Sequence, residues 1–262
     1  TSDGIVQYPF SEGVSDWDTV HDASDGVNAF DHLSYSEYAQ RGSYYLGDYA
    51  IERCFWMFNT SAIPDTATVT AANLSLYGYS NGDSSVCLQE GTQGGSLTTT
   101  DFDAFIGSML HDSNLSWNTG QYNVFEFNSA GIAIINKTGI TYICSREYNH
   151  DYLDVAPSGF YNNGVYFADN AGTGKDPKLN VTYSLNNAPA LSNPSPAAGA
   201  TGENTEPTLS IDINDGDGET MNISWWTNAS GSWLEIGSNT SVTNGTYTCD
   251  NTSDMSAYST KY

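Results

Sequence analysis

Ten Asn-x-Ser/Thr triplets run through the chain, at Asn59, Asn73, Asn114, Asn136, Asn180, Asn222, Asn228, Asn239, Asn244 and Asn251. Each offers a side-chain amide to an oligosaccharyltransferase, an enzyme that works on the outer face of a membrane. A composition this rich in Asn, Ser and Thr would give roughly half as many by chance. Phase speaks for more than composition. In Ala72-Asn73-Leu74-Ser75-Leu76 the leucines alternate with the sequon residues. The same alternation occurs in Leu179-Asn180-Val181-Thr182-Tyr183 and in Met221-Asn222-Ile223-Ser224-Trp225. Strand side chains alternate between faces, so the three asparagines are expected on the solvent side.

Other reactive groups are sparser. No Gly-x-Ser-x-Gly, His-Glu-x-x-His or phosphate loop is present. Each of the four histidines has an aspartate beside it, in His21-Asp22, Asp31-His32, His111-Asp112 and His150-Asp151. Neighbours in a strand point to opposite faces, so adjacency alone does not make a dyad. Two acidic loops carry oxygen ligands on a turning backbone, as calcium requires. They supply Asp16 and Asp18, with Asp22 and Asp25 nearby, and Asp215 and Asp217 of Asp215-Gly216-Asp217-Gly218-Glu219. The EF-hand spacing is absent, and Asp-Gly pairs also serve as plain turns. Cys54, Cys87, Cys144 and Cys249 form no CxxC pair, which argues against zinc and thioredoxin-type chemistry. Outside the cell disulfides are expected, and of the three pairings Cys87–Cys144 is favoured, because both lie in short strand-like runs. Tyr35, Tyr38, Tyr44, Tyr45 and Tyr49, with Trp17 near them in sequence, could stack on sugars or fill a sandwich core or subunit interface.

These groups are carried by 262 residues with a formal net charge of -24 and only 7 Lys plus Arg. Such a surface repels nucleic acid and anionic membranes. No apolar run is long enough to cross a bilayer. The start at Thr1 is what a secreted chain shows once its signal peptide is removed. Short apolar runs broken by Gly, Asn, Asp and Ser predict an all-β protein. Strands are expected at 5–10, 44–46, 52–58, 73–79, 85–89, 123–128, 140–145, 164–168 and 178–183, with both faces of 52–58 buried. Thr100-Asp101-Phe102-Asp103 predicts a helix continuing through Leu110, and Ser129 a short second one. A Pro/Gly/Ala-rich linker follows residue 184, and a second strand series then covers 208–213, 221–226, 233–236 and 246–249. The predicted architecture is a jelly-roll β-sandwich over 1–184, then a smaller immunoglobulin-like β-sandwich over 185–262.

The first part resembles the DNRLRE family, a jelly-roll domain related to carbohydrate-binding modules. The resemblance rests on Arg53-Cys54-Phe55-Trp56-Met57-Phe58, Ala62-Ile63-Pro64, Val69 through Tyr77, and Asp176-Pro177-Lys178-Leu179-Asn180-Val181-Thr182-Tyr183. The family's usual Trp-x-Glu segment survives only as Leu88-Gln89-Glu90. The second part is similar to immunoglobulin-like modules of archaeal surface proteins, through Asn187-Ala188-Pro189, Asn193-Pro194-Ser195-Pro196, Asp215-Gly216-Asp217-Gly218 and Met221-Asn222-Ile223. In that family, Tyr258 through Tyr262 would lead into strand F, so the second sandwich is expected to lack its last strands. These resemblances imply a secreted or surface protein without catalytic activity. The expected function is a non-enzymatic, N-glycosylated structural protein outside the cell. It would be a subunit of a filament or surface layer, joined to identical subunits through β-strand contacts. The alternative is a carbohydrate-binding or adhesive module of a larger secreted protein, with a polysaccharide as partner.

Overall fold

The structure, a computed structural model, describes residues 3–112, 115–204 and 206–253. The chain divides between Leu185 and Asn186 into two units. In the first unit the strands are β1 (Gly4–Tyr8), β2 (Asn28–Phe30), β3 (Tyr35–Tyr45), β4 (Asp48–Asn59), β5 (Thr68–Gly82) and β6 (Ser85–Gly91). They continue with β7 (Phe105–Ile106), β8 (Leu115–Ser116), β9 (Tyr122–Glu126), β10 (Ile140–Glu147), β11 (Asn162–Tyr166) and β12 (Lys178–Ser184). Two one-turn helices, α1 (Trp17–His21) and α2 (Ser129–Ala133), interrupt them. Hydrogen bonding runs in the order β12-β5-β11-β3-β4-β10-β6-β7, with β9 on β5 and β1 on β4. The fold is an all-β sandwich of curled antiparallel sheets.

The middle strand β4 explains the layering. Cys54 and Trp56 face the main core, where they meet Leu74 and Leu76 of β5, Phe125 of β9 and Val165 of β11. Ile51 and Phe55 point the other way, into a second cluster with Val6, Trp17, Val20, Phe102 and Cys144. Both faces are thus covered, and truncating Phe55 to Ala would cost about 3–5 kcal/mol. The curl depends on β11, which pairs with β3 on one side and β5 on the other through a bulge at Gly164. A Cβ at Gly164 would overlap Ser80 Oγ and lie 2.6 Å from Ser36 O, so only glycine lets the three strands close.

The helix predicted from Thr100 is corrected. Thr98 and Asp101 form a capping box, but it opens a single 3-10 turn, Thr99–Asp101. Phe102 is then buried, and Phe105 and Ile106 pair with Gly91 and Glu90 as strand β7. Sheet pairing here outweighs local capping. The second short helix forms at Ser129–Ala133, capped by Asn128 rather than Ser129.

The second unit carries β13 (Ala190–Ser195), β14 (Leu209–Asn214), β15 (Met221–Thr227), β16 (Leu234–Val242) and β17 (Gly245–Cys249). They form a sheet in the order β13-β14-β17 and a β15-β16 pair. Ile213, Met221 and Ile223 pack together, as do Ile236 and Cys249. Strand β13 occupies part of the segment read as linker, its ladder interrupted between Ser192 and Ser195. Tyr258–Tyr262 lies outside the described residues.

Candidate functional site

The strongest electrostatic feature is a buried ion cluster on the outer face of β4 and β10. Asp151 sits in a π-type turn, Tyr148–Tyr152, directly after β10. Its carboxylate accepts from Arg53 Nε (3.1 Å) and Nη2 (2.7 Å), and from Arg146 Nε (3.0 Å) and Nη2 (2.7 Å). Phe102 and Phe105 lie against the guanidiniums of Arg53 and Arg146, at 4.2 and 4.1 Å. Burial opposes ionisation of Asp151, but the charges and hydrogen bonds of Arg146 and Arg53 outweigh it and hold the carboxyl well below the usual range. Glu147 caps the same turn by accepting from the backbone N–H of Asn149, His150 and Asp151. Ser84 also donates to Glu147. Every ionic group in this cluster is already consumed by another, so it acts as a rivet rather than a reactive centre.

His21 touches its neighbour after all. It lies in the last turn of α1, not in a strand, and its Nδ1 is 2.7 Å from Asp22 Oδ1, while Nε2 is 2.8 Å from the Asp151 carbonyl. Trp17 stacks on it and donates to Asp154 at 3.0 Å. Among the described residues, no group of three or more His, Cys, Asp or Glu is placed to hold a metal ion. The acidic-loop residues have other partners. Asp16 Oδ2 caps α1 through Thr19 N, and Asp18 is exposed in the first turn of that helix. Asp215 Oδ1 accepts from Asp217 N, and Asp217 accepts from Asn187 N and Nδ2.

The expected Cys87–Cys144 disulfide is not formed; both thiols are free and buried. Cys144 lies opposite Gln89, and Cys87 opposite Arg146, so the two cysteines are diagonal neighbours on one face. Diagonal positions are about 7–8 Å apart, beyond the reach of an unstrained bridge. Burial pushes the Cys144 thiol up to about 12 and Cys87 well above its ordinary value. Cys54 donates to Ala39 O at 2.7 Å, and Cys249 is also free.

The surface holds what the interior does not. The five tyrosines grouped in sequence do not form one patch. Tyr44 and Tyr49 pack on each other, Trp17 packs on Tyr49, and Tyr38 lies under the Arg41 guanidinium. Tyr45 and Phe160, both exposed, join the half-buried Phe10 in a triad beside the Leu46 hairpin tip. Only Tyr35 enters the longest aromatic row. It stacks on Tyr79 at 4.4 Å, and Tyr166, Tyr77 and Tyr122 continue the row at 5.1–5.7 Å spacings. Lys175 lies over Tyr166 (3.8 Å) and Lys178 over Tyr122 (4.3 Å). Sequence grouping missed this strip because β3, β5, β9 and β11 each bring one or two members. The visible signal was the period-two pair Tyr77-Gly78-Tyr79.

Of ten sequons, Asn114 lies outside the described residues, leaving nine, and none of these nine asparagines is buried. Asn59 and Asn136 each accept from the N–H and hydroxyl of their own sequon Ser61 or Thr138. Asn222, Asn228, Asn244 and Asn251 are exposed, and Asn239 is half-buried, accepting from Trp225 Nε1. Two open clefts, of about 280 Å³ beside Ile106 and Ile134 and about 250 Å³ beside Asn81 and Trp117, gather no cluster of titratable groups. No protein-family model matches the chain, and no curated protein matches it in sequence.

Proposed function

We propose that the chain is a non-enzymatic, N-glycosylated structural protein outside the cell, a subunit of a surface filament or layer. The observation that carries this reading is the exposure of the sequons: all nine described asparagines reach solvent, although Asn73 and Asn222 lie within strands between buried neighbours and Asn180 between half-buried ones. Residues with catalytic potential are instead locked in the Arg53–Asp151–Arg146 cluster. The similarity of the first unit to DNRLRE jelly rolls, and of the second to archaeal surface immunoglobulin-like modules, supports the same reading. So do the edges of the second unit. Among the described residues β13 and β17 each pair on one side only, leaving backbone groups for strand addition by an identical subunit. Electron microscopy of purified material, with glycopeptide mass spectrometry, tests it. Sugar-free, monodisperse particles at every concentration would overturn it.

A second reading, a carbohydrate-binding or adhesive module, draws on the exposed Tyr45 and Phe160 rings beside Phe10. Exposed rings of this kind stack on sugar faces. A glycan array on which the Tyr45→Ala variant loses the hits of the parent would favour it.

A further inference from the structure

One sheet face brings sequons and the tyrosine–lysine strip together. Across β12, β5 and β9, Asn180 lies opposite Asn73, which lies opposite Glu126. The next row on the same face is Lys178, Ser75 and Val124. The row after that holds Tyr77 and Tyr122. Same-face rows are about 7 Å apart, the width of one or two pyranose rings. Tyr122 reaches back over β5, its hydroxyl donating to the carbonyls of Gly174 and Asp176, and Ser75 is buried. Asn180 therefore has Lys178 as its same-face neighbour on β12, and the Lys178 ammonium lies over the Tyr122 ring.

The two asparagines are not equivalent. Asn180 is exposed on β12, which ends the sheet order, and its Nδ2 donates to Asn73 Oδ1 at 2.9 Å. Asn73 is half-buried on the central strand, and its own Nδ2 faces Glu126 at 3.4 and 3.5 Å. A glycosylated amide keeps one N–H. At Asn180 that hydrogen preserves the bond to Asn73 and fixes the direction of the first sugar. At Asn73 a sugar would have to rise between Asn180 and Glu126.

We propose that Asn180, and not Asn73, carries the glycan of this face, and that its first sugars lie along the Lys178–Tyr122–Tyr77–Lys175 strip. The inference rests on the glycoprotein reading above. Transfer from a lipid-phosphate-linked oligosaccharide forms the bond between the anomeric carbon and Nδ2. It breaks the anomeric C–O bond to phosphate and releases the lipid phosphate and one amide proton. Pyranose C–H faces suit the tyrosine rings, and the two ammonium groups suit sugar hydroxyls or carboxylates.

The test uses the whole chain made in a glycosylating host. Glycopeptide mass spectrometry should find sugar on Asn180 and bare Asn73. Acetylation of Lys178 by an amine-reactive ester should then be at least about fivefold slower in the parent than in Thr182→Ala. That variant destroys the sequon but keeps Asn180 and its bond to Asn73. Sugar on Asn73 with Asn180 bare overturns the assignment. Sugar on Asn180 with equal Lys178 rates in both proteins overturns the docking. Sugar at no sequon overturns the glycoprotein reading itself, and this inference with it.

Discussion

Replacing Asp151 by Asn keeps the shape of the side chain and removes the one anion shared by two arginines. Arg53 and Arg146 have side chains only 1% and 6% exposed, and Asp151 is fully buried. Breaking a buried pair by deleting one partner costs about 3–5 kcal/mol, because the remaining charge is stranded out of water. Here one substitution strands two charges, so Asp151→Asn should cost about 5 kcal/mol. For a unit of this size each kcal/mol moves Tm by about 2–4 °C, so its calorimetric transition should fall by about 10–20 °C. Arg53→Met should cost less, about 3 kcal/mol, since Asp151 keeps Arg146. The pH dependence carries a matching sign. The carboxyl is held below its unfolded value, so its stabilisation is present above about pH 4 and is lost as acid titrates it. A Tm change under about 3 °C for Asp151→Asn, or a larger loss for Arg53→Met, would refute the account of the cluster as a rivet.

Glu52 pairs with Arg41 at 3.0 Å, yet burial pushes its carboxyl up to about 7, with Arg41 opposing the rise only in part. Its folded value is raised, so its contribution is full below about pH 4.5 and is lost as pH rises through 7. Urea unfolding of the first unit should therefore show stability falling by up to about 3 kcal/mol from pH 5 to 8, and Glu52→Gln should flatten that slope. Native protein at pH 8 should give no reaction of Cys54, Cys87 or Cys144 with a thiol reagent, and rapid reaction in denaturant, as read by mass spectrometry. Asp16→Ala should cost about 1 kcal/mol through the lost α1 cap, by the same amount with calcium or with a chelator, as measured by thermal unfolding. Gly164→Ala should lower the melting temperature by several degrees or prevent folding, because Ser36 and Ser80 cannot both withdraw.

Strand alternation was readable where one face meets the core, as in buried Ala72 and Leu74 on either side of half-buried Asn73. The doubly covered β4 was readable from its unbroken apolar run after Arg53. Strand β13 was hidden by Pro194 and its neighbouring turn residues, which punctuate a linker and an irregular edge strand alike. The turn at Thr99 was over-read because its capping box is a local signal, while the pairing of Phe105 with Gly91 is not. The ion cluster was out of reach, since Arg53 and Asp151 lie 98 positions apart and meet only once β4 and β10 are neighbours. The tyrosine strip failed for the same reason, its rings coming from four strands.

The placement of the seven basic residues has a consequence for survival among proteases. A trypsin-like enzyme needs an extended chain around an accessible Lys or Arg. Arg41, Arg53 and Arg146 are buried within β3, β4 and β10. Lys137 is tethered to the carbonyls of Asp65 and Ala67, and Lys178 opens β12. Among the described residues, the Lys175–Asp176 bond is the one basic site in a connecting segment with no carbonyl tether, and Lys175 itself leans over Tyr166. A digest of the folded protein should therefore stop after that one cut, leaving Arg53 and Asp151 on a single long piece to which the short β12 segment stays paired through β5.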